Sequence, residues 1–487
     1  MELYSQVGAL TVFVLFLGLS SLFVSKLKNV NWKLFFRVEF LLSIKICLMP
    51  VLLGLAELFS ESVNQLGPYG WIVLLVILLV PFAFLTGLEL PLLITLLPER
   101  ENILLFLNYF GSLFASIIAV EIFYSSEKIL FLCAIISTLN FIVYFIFSKS
   151  ILKVTLLNLL VKSLVFGCAL VILAFYSSNL GLVKKINYLG YDIVTIQNLG
   201  KLFDSLPSND KIISIESRYQ EIDIVPASMY QFNPKDSRWG LYLNRKVQFF
   251  SDTEIIYHQT ISFFPLIYTG IKPKKVLILG GGDLGVAREL SRLPELKVLK
   301  VVELDEAIIN LAKNGPLVNQ MNNYNQIKDF VEIVHQDALS YLRNTNERYD
   351  FIVADFPFPS SFELGNLYSK EFYQLVISRL SNKGVFTFDF PFHISDNDQE
   401  KEVQAILLNT LQASGFKQIK IYGRFETFVM ATKRELDLKV DISSYQKYLS
   451  NKVLINFVER TTHYAELYKR SSKIHSLFKP QMEFRIE

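Results

Sequence analysis

The sequence predicts a multi-pass α-helical membrane domain, then a small β domain, then an α/β domain built on a parallel, doubly wound sheet. Three patterns along the 487 residues indicate this order. Apolar runs with few charges fill the first ~180 residues, long enough for several membrane spans. Strand-like alternation follows, and from Lys275 onward short apolar runs alternate with helical patterns. We therefore divide the chain into a transmembrane domain (1–180), a β domain (181–255), an α/β domain (256–435) and a C-terminal helical extension (436–487).

The apolar half supplies the predicted spans. A helix needs about 20 apolar residues to cross a bilayer. Runs of that kind lie near 7–25, 38–58, 70–92, 103–123, 129–148 and 155–177. They predict six spans, and seven remain open because the third region stays apolar to Leu97. No cleavable secretory signal is expected, since no basic segment precedes the first run and further spans follow it.

The orientation of these spans depends on their number. Four basic residues crowd the first predicted loop, whereas 61–68 has no Lys or Arg. The positive-inside rule then places the first loop in the cytoplasm. Six spans would leave the polar half outside the cell, and seven would return it to the cytoplasm.

One acidic residue interrupts an apolar run. Glu89 lies in the stretch "GLELPLL", which spans 87–93. An ionisable group at membrane depth is costly and is by default a functional candidate. The alternative is that Glu89 caps a broken helix or pairs with another span, and both interpretations stay open.

Charge and cysteine content exclude some functions. A formal net charge of +3 is too small to predict a nucleic-acid partner. Cys47, Cys133 and Cys168 all fall inside apolar runs without the spacing of metal ligands. We therefore expect buried thiols and no metal site.

The polar half begins with strand patterns. The segments "KIISIESRYQEIDIV" and "GLYLNRKVQFF" alternate and are rich in β-branched and aromatic residues, as half-buried strands are. The later runs "KVLILG", "VLKVVEL", "VEIVHQ", "YDFIVADF" and "GVFTFDF" alternate with helical patterns. They predict a parallel sheet whose ligand binds at the carboxyl ends of the strands.

A glycine turn follows the first of these strands. Gly280, Gly282 and Gly285 have the G-x-G-x-x-G spacing of a dinucleotide-binding turn, but Asp283 lies inside it. A pyrophosphate bound at the helix N-terminus would be repelled by this carboxylate. A cationic sulfonium nucleoside has no phosphate and would be attracted.

Three more acidic residues follow strand ends. Glu303 ends the second strand about 20 residues after the turn, where a carboxylate commonly binds ribose hydroxyls. Asp337 follows the third strand and Asp355 follows the fourth. With Asp283 they favour an S-adenosyl-type ligand over NAD. The alternative is a nucleotide fold with an idle pocket.

These residues also carry a family resemblance. The segments "SRYQEIDIV", "VQFFSDTEIIYHQ", "VLILGGGDLG", "VVELDE", "DAL", "YDFIVADFPFP" and "LYSKEFY" occur in the order and spacing of the spermidine synthase family. The match runs from about Lys211 to Lys433. It implies an α/β Rossmann-like domain of the S-adenosylmethionine-dependent methyltransferase type. The apolar half resembles that of bacterial membrane-fused members.

The resemblance implies an aminopropyltransferase. Its donor would be decarboxylated S-adenosylmethionine, used as a co-substrate without a separate cofactor. Its acceptor would be putrescine or another polyamine, and methylthioadenosine would leave. We expect a multi-pass protein of the cell (inner) membrane with its catalytic domain in the cytoplasm, where the donor is supplied. The bilayer would be a partner, nucleic acid would not, and a homodimer is left open.

Site residues are carried over by position. The resemblance implies that six residues bind the nucleoside, with Glu303 on the ribose and Asp337 with Ala338 on the adenine: Gln220, Gly280, Gly282, Glu303, Asp337 and Ala338. His258 and Asp283 would line the amine channel, with Tyr257 supporting it. Asp355 falls at the family's proton acceptor. For His258 the alternative is a histidine satisfied by a neighbour.

Departures from the family pattern concentrate on the acceptor side. A second aspartate is usual three residues after the base, and Phe358 stands there. Leu284 replaces a usual glycine, and Gln259 replaces a usual glutamate. The family's proline-tyrosine loop has no clear counterpart in "YGRFETFVMATKR". We therefore expect weaker diamine binding or a changed acceptor.

Two other functions stay open on this sequence. The synthase-like domain could instead sense a nucleoside or polyamine and control transport by the spans. It could also catalyse a different transfer or elimination from an S-adenosyl sulfonium.

Overall fold

The structure is a computed structural model. It describes residues 2–57, 70–122, 126–181, 184, 188, 212–226, 238–315, 318–322, 331–357, 359, 362–390, 398–423, 426–438, 440–454, 471–479 and 481. The chain separates into two compact units. One comprises Met1–Glu216 with Ile224–Ser237, and the other comprises Ser217–Asp223 with Arg238–Glu487.

The first unit is built from long apolar helices. Its described residues include α1 Glu2–Ser25, α2 Trp32–Glu57, α3 Gly70–Leu96, α4 Glu101–Ile122, α5 Ser126–Leu152 and α6 Leu156–Ser178. Helix α2 packs against α3, α5 and α6. Phe36, Leu92 and Tyr144 lie in one buried cluster of this interior, while Leu157 and Phe175 are 72% and 71% exposed on the outside. Apolar residues thus occupy both the interior and the outer surface.

Four of the described helices are long and apolar enough to cross a membrane. They are Trp32–Ala56, Val76–Leu96, Lys128–Leu152 and Leu156–Ser178. These coincide with the predicted spans near 38–58, 70–92, 129–148 and 155–177. The total of six or seven spans stays a prediction, and the loop at 61–68 lies outside the described residues.

The predicted β domain contains short strands. Its described residues include β1 Ile213–Glu216, β2 Glu221–Pro226, β3 Trp239–Leu243 and β4 Lys246–Phe250. Strands β3 and β4 form an antiparallel hairpin. Asn244 and Arg245 connect them with φ of 48° and 66°, both positive, as a two-residue type I′ turn requires.

A seven-stranded sheet forms the centre of the second unit. Its strands are β5 Lys275–Gly280, β6 Val298–Glu303, β7 Val331–His335, β8 Tyr349–Asp355, β9 Leu380–Asp389, β10 Gln418–Tyr422 and β11 Phe428–Thr432. The order is β10-β11-β9-β8-β5-β6-β7. Leu277, Ile352 and Phe386 are fully buried. Such continuous apolar runs are typical of strands covered on both faces.

The prediction of a purely parallel sheet is wrong at one edge. Strands β5 to β9 pair in parallel, but β11 is antiparallel to both β9 and β10. Only residues 423–427 connect β10 to β11. A parallel crossover needs about a dozen residues or more, so this link permits only a hairpin. The sheet is therefore mixed.

Helices connect the strands and cover the sheet. They are α7 Glu254–Thr269, α8 Gly285–Leu290, α9 Glu306–Asn314, α10 Val318–Asn322, α11 Ala338–Asn344, α12 Phe362–Asn366, α13 Lys370–Arg379, α14 Asp398–Ser414 and α15 Asn451–Leu454. Helix α15 and a 3-10 turn at Gln446–Tyr448 are the helical parts that the structure describes in the predicted extension at 436–487. Residues 455–470 of that extension lie outside the described residues.

Candidate active site

The site is built on the turn that follows β5. Gly280 and Gly281 have φ of 79° and 67°. A Cβ added to Gly280 would lie 2.2 Å from the carbonyl oxygen of Asp355. The amide of Gly281 donates a 2.9 Å hydrogen bond to the same oxygen. Glycine is therefore required here, and the turn is held against the end of β8.

The rest of the turn places Asp283 beside α8. The Asp283 Oδ1 atom accepts a 2.6 Å hydrogen bond from the amide of Gly285. Leu284 has a φ of 64°, in the left-handed region, which costs a residue with a side chain about 1–2 kcal/mol. Its side chain is 1% exposed, and this burial offsets the strain. The turn thus keeps its shape without the usual glycine.

Glu303 faces the glycine turn from the end of β6. Its Oε2 atom lies 3.0 Å from the position of a Cβ added to Gly282. Its Oε1 atom accepts a 2.9 Å hydrogen bond from the amide of Asp305. Burial, with the neighbouring charges of Asp305 and Asp283, raises the pKa of Glu303 to about 7. In its ionised form this carboxyl group can accept hydrogen bonds from both hydroxyls of a sugar diol.

Asp305 joins Gln220 to this part of the site. Its Oδ2 atom accepts hydrogen bonds from Gln220 Nε2 at 2.9 Å and from Ser217 Oγ at 2.7 Å. Its Oδ1 atom caps α9 by accepting from the amide of Ala307 at 3.0 Å. Gln220 and Glu303 are therefore brought together through a residue that the sequence analysis did not select.

Asp337 and Ala338 begin α11 after β7. The Asp337 Oδ1 atom accepts a 2.7 Å hydrogen bond from the amide of Ser340, which makes Asp337 the N-cap of the helix. Its side chain is exposed, whereas Ala338 is 6% exposed. The predicted adenine contact therefore lies at a strand end like the other acidic residues, and it stays a prediction.

Asp355 is the residue at the end of β8. The hydroxyl of Tyr257 donates a 2.7 Å hydrogen bond to its Oδ1 atom. Its Oδ2 atom is buried and has no hydrogen-bond partner among the described residues. Burial and the nearby negative charge of Asp283 raise the pKa of Asp355 to about 6. A buried, unsatisfied carboxylate oxygen of this kind can accept a proton or an ammonium N–H.

His258 is fully buried behind Asp283. Its Nδ1 atom lies 2.5 Å from Glu254 Oε2, and its Nε2 atom lies 3.6 Å from Asp283 Oδ1. Arg288 binds the same Glu254 oxygen at 2.9 Å. Burial alone would lower the pKa of His258, but Asp283 and Glu254 raise it to about 10. The resulting imidazolium holds the pKa of Asp283 below its usual value despite burial. This contact is with protein carboxylates, so direct contact of His258 with an amine stays a prediction.

Two further acidic residues lie close to Asp355. Asp389 ends β9 and pairs with Phe428 at the start of β11. The ring of Phe428 contacts that of Tyr257, with 5.2 Å between centroids. Burial and the charges of Glu426 and Asp355 raise the pKa of Asp389 well above its usual range. Sequence reasoning missed both Asp389 and Glu426, although Asp389 follows the strand-end pattern that selected the other acids.

The residues that depart from the family pattern lie in different parts of the structure. The Gln259 side chain donates to Glu289 at 3.0 Å and accepts from the amide of Ser450 at 2.8 Å. It is buried and links Glu289 to the C-terminal segment. Phe358 lies outside the described residues. The part of the site expected to bind the acceptor contains several carboxylates, although no aspartate occupies position 358.

Comparisons with known proteins show which proteins this chain resembles. Residues 254–404 match the family model described as the spermine/spermidine synthase domain. A polyamine aminopropyltransferase from Oceanobacillus iheyensis is 29% identical over 374 residues, covering 73% of this chain and 66% of that protein. One from Leptospira interrogans is 26% identical over 418 residues, covering 82% of this chain and 77% of the relative. The first alignment thus spans slightly less than two thirds of that relative.

A solved structure is also similar. It is titled as a spermidine synthase in complex with the transition state analogue AdoDATO. The identity is 23% and the TM-score is 0.43, with 53% of this chain and 87% of that chain covered.

Proposed function

We propose that this chain is a membrane-bound polyamine aminopropyltransferase. The proposal proceeds from the match of residues 254–404 to the spermine/spermidine synthase domain. Transferase is the enzyme class in the names of its relatives. The donor would be decarboxylated S-adenosylmethionine and the acceptor putrescine or a related amine. The observation that carries the proposal is the group of carboxylates around Tyr257 and the glycine turn, which suits cationic reactants.

The chemistry needs one deprotonated amine and one leaving thioether. The nitrogen lone pair attacks the aminopropyl carbon bonded to the sulfonium. The carbon–sulfur bond breaks, its electron pair stays on sulfur, and neutral methylthioadenosine leaves. The new secondary amine loses one proton overall. The domain must therefore hold two cations in line and accept a proton.

Asp355 is the proposed proton acceptor. With a pKa of about 6 it is mostly ionised at neutral pH, and its Oδ2 atom is free of protein partners among the described residues. The Tyr257 hydroxyl fixes the other oxygen and so orients the carboxylate. A base whose pKa is close to the working pH is efficient in proton transfer.

Asp283, Asp389 and Glu426 are the proposed electrostatic partners of the acceptor. Asp389 binds a proton more strongly than an ordinary carboxyl because burial, followed by the negative charges of Glu426 and Asp355, disfavours its ionised form. An ammonium group bound there would lower its pKa and release that proton. His258 would act as a positioning residue, since it pairs with Asp283 from a fully buried place.

The nucleoside would lie on the other side of the glycine turn. Glu303 is proposed to bind the ribose hydroxyls, with Gln220 held beside it through Asp305. Asp337 and Ala338 are proposed for the adenine. Gly280 and Gly282 are proposed to let the donor approach the turn closely. A Cβ at Gly280 would also collide with the Asp355 carbonyl oxygen, and one at Gly282 with Ile308.

The membrane assignment is part of the proposal. It is supported by the four described helices that are long and apolar enough to cross a bilayer and by the exposed apolar side chains on their outer faces. We propose a multi-pass protein of the cell membrane with the synthase domain on the cytoplasmic side, where its donor is made. The domain boundaries near 180, 255 and 435 belong to the same proposal.

The test is incubation of the purified full chain with decarboxylated S-adenosylmethionine and a panel of amines, with products identified by mass spectrometry. We expect methylthioadenosine and an aminopropylated amine in equal amounts, and only when an amine is present. Methylthioadenosine released without an amine would instead identify an elimination. No turnover, together with binding of the nucleoside, would favour a sensor.

A further inference from the structure

The interior of the helical unit contains a buried carboxylate that the transfer reaction does not use. Glu39 lies on α2 and is 4% exposed. The side chains of Asn140 on α5 and Glu89 on α3 are neighbours of its carboxyl group. Among the described residues neither carboxylate forms an ion pair. Glu39 and Glu89 therefore place two carboxyl groups inside an apolar bundle, where the described residues form no ion pair with either of them.

Two polar atoms in this interior have no partner. Glu39 Oε1 and the Tyr144 hydroxyl are both buried and make no hydrogen bond within the part of the chain that the structure describes. Tyr144 is 1% exposed and lies one helical turn beyond Asn140 on the same face of α5. An unmade hydrogen bond in a buried place costs about 1–3 kcal/mol, and more for a charged group. Atoms of this kind indicate a site for a ligand.

The neighbouring side chains favour an organic cation. The rings of Phe40 and Tyr144 contact each other, with centroids 5.4 Å apart. The Nζ atom of Lys162 on α6 lies 4.9 Å from the Phe40 centroid and 4.8 Å from the Tyr144 centroid. Aromatic faces attract ammonium groups, so this wall already accepts a primary ammonium on an alkyl chain.

An inorganic cation fits the same surroundings less well. Hard cations such as Ca²⁺ take six to eight oxygen ligands, and Mg²⁺ keeps several waters. Phenyl rings supply none of these ligands, whereas they suit the methylene groups of an amine. Carboxylates can pair with the ammonium ends of such a molecule.

We propose that Glu39, Glu89 and Tyr144 form a binding site for an alkyl diamine or polyamine inside the helical unit. Glu39 and Glu89 pair with the ammonium groups, the Tyr144 hydroxyl hydrogen-bonds to the ligand, and the Phe40 and Tyr144 rings pack on its methylene chain. The site is separate from the residues around Asp355 and does not depend on their catalytic activity.

The test uses the full chain purified in detergent and radiolabelled putrescine in equilibrium dialysis. The Asp283→Asn/Asp355→Asn background weakens binding at the synthase domain, and the part of the remaining binding that depends on Glu39 or Glu89 reports on the helical unit. We expect about one putrescine per chain in this background. Adding Glu39→Gln or Glu89→Gln weakens binding at least about tenfold, as expected for a lost charge pair. Tyr144→Phe weakens it less.

The matched control is Glu99→Gln, the same substitution at an exposed position between α3 and α4. It leaves putrescine binding unchanged. Unaltered nucleoside binding and gel-filtration behaviour show that each variant is folded. If a glutamine variant does not fold, Tyr144→Phe tests the site in its place. The proposal is overturned if the background binds no putrescine or if none of these three substitutions weakens binding.

The transfer assay separates this site from the proposed function. If the wild-type chain makes no aminopropylated product but still shows Glu39-dependent putrescine binding, the transfer proposal fails and the site stands. If transfer occurs and binding in the background does not depend on Glu39, Glu89 or Tyr144, only the site fails.

Discussion

Tyr257 donates a 2.7 Å hydrogen bond to Oδ1 of Asp355 and leaves Oδ2 without a protein partner among the described residues. One oxygen of the carboxylate is thus fixed by the protein and the other is available to a substrate. The ring of Tyr257 also contacts Phe428, which pairs with Asp389 across the sheet. Through Tyr257, α7 is in contact with the ends of β8 and β11.

Replacing Asp355 tests the proposed base. Asp355→Asn keeps the size of the side chain but cannot accept the amine proton. We expect kcat for aminopropyl transfer to fall by about 10²- to 10⁴-fold, the usual contribution of a general base, while the dissociation constant of methylthioadenosine stays the same. Asp437→Asn, at an exposed aspartate, is the matched control. Equal turnover by wild type and Asp355→Asn would remove the base assignment.

The Tyr257 hydrogen bond predicts a change in the pH profile. The bond favours the ionised form of Asp355, so its loss in Tyr257→Phe raises the pKa of Asp355 above about 6. Since the ionised form is active, the acidic limb of the kcat/KM profile moves to higher pH. Tyr219→Phe, at an exposed tyrosine, leaves the limb in place. An unshifted limb in Tyr257→Phe would contradict this assignment.

Gly285 tests the contact between the turn and His258. A Cβ at this position would lie 2.4 Å from the imidazole ring, and both residues are buried. We expect Gly285→Ala to destabilise the fold by about 1–3 kcal/mol through overpacking and to lower kcat/KM by moving Asp283. Thermal unfolding and initial rates measure the two effects. Gly167→Ala, where an added Cβ meets nothing within 4 Å, is the control, and identical behaviour of the two variants would refute the contact.

The pair of carboxylates around His258 predicts a dependence of stability on alkaline pH. The folded pKa of about 10 lies above the usual 6.5, so the folded state binds the proton more tightly. The stabilisation is complete below about 6.5 and is lost as the pH rises through 10. We expect the Tm of the wild type to fall over this range more steeply than that of His258→Gln. Parallel curves would show that His258 is not held as an imidazolium.

Asp389 and Glu426 predict acceptor-specific effects. Asp389→Asn and Glu426→Gln should each raise KM for the amine about tenfold, as the loss of a hydrogen bond to a charged group does. The donor KM should stay unchanged because the nucleoside residues lie on other strands. Glu435→Gln, at an exposed position of the same segment, is the control for Glu426. An equal rise in the KM values of the donor and the amine would show that these residues do not act specifically on the acceptor.

The sequence predicted those candidate site residues that directly follow the ends of predicted strands. Asp283, Glu303 and Asp355 could be selected because parallel strands bring their carboxyl ends to one edge of the sheet. Asp305 could not be selected in that way, because its contact with Gln220 depends on a segment 85 positions away. The family resemblance predicted Gln220 as a site residue, and the structure showed that Asp305 accepts its hydrogen bond.

The antiparallel edge and the helical interior were harder to predict. The sequence of β11 has the same apolar pattern as the buried parallel strands. Its antiparallel direction follows from the short link to β10. The relation of Glu39 to Asn140 depends on how α2 packs against α5, which hydropathy does not specify. Glu89 was noticed because an acidic residue in an apolar run is rare, but its neighbour Glu39 lies closer to basic residues and gave no such signal.

The hairpin between β10 and β11 separates two groups of proposed site residues in this chain. Glu426 lies on a short connection at the margin of the sheet, whereas Glu303 and the glycine turn lie on central strands whose neighbours constrain them on both sides. On the proposed function, we expect replacements in the connection to change which amine is accepted and to preserve recognition of the sulfonium compound. Related proteins with one donor and divergent acceptors could arise by changes confined to this margin.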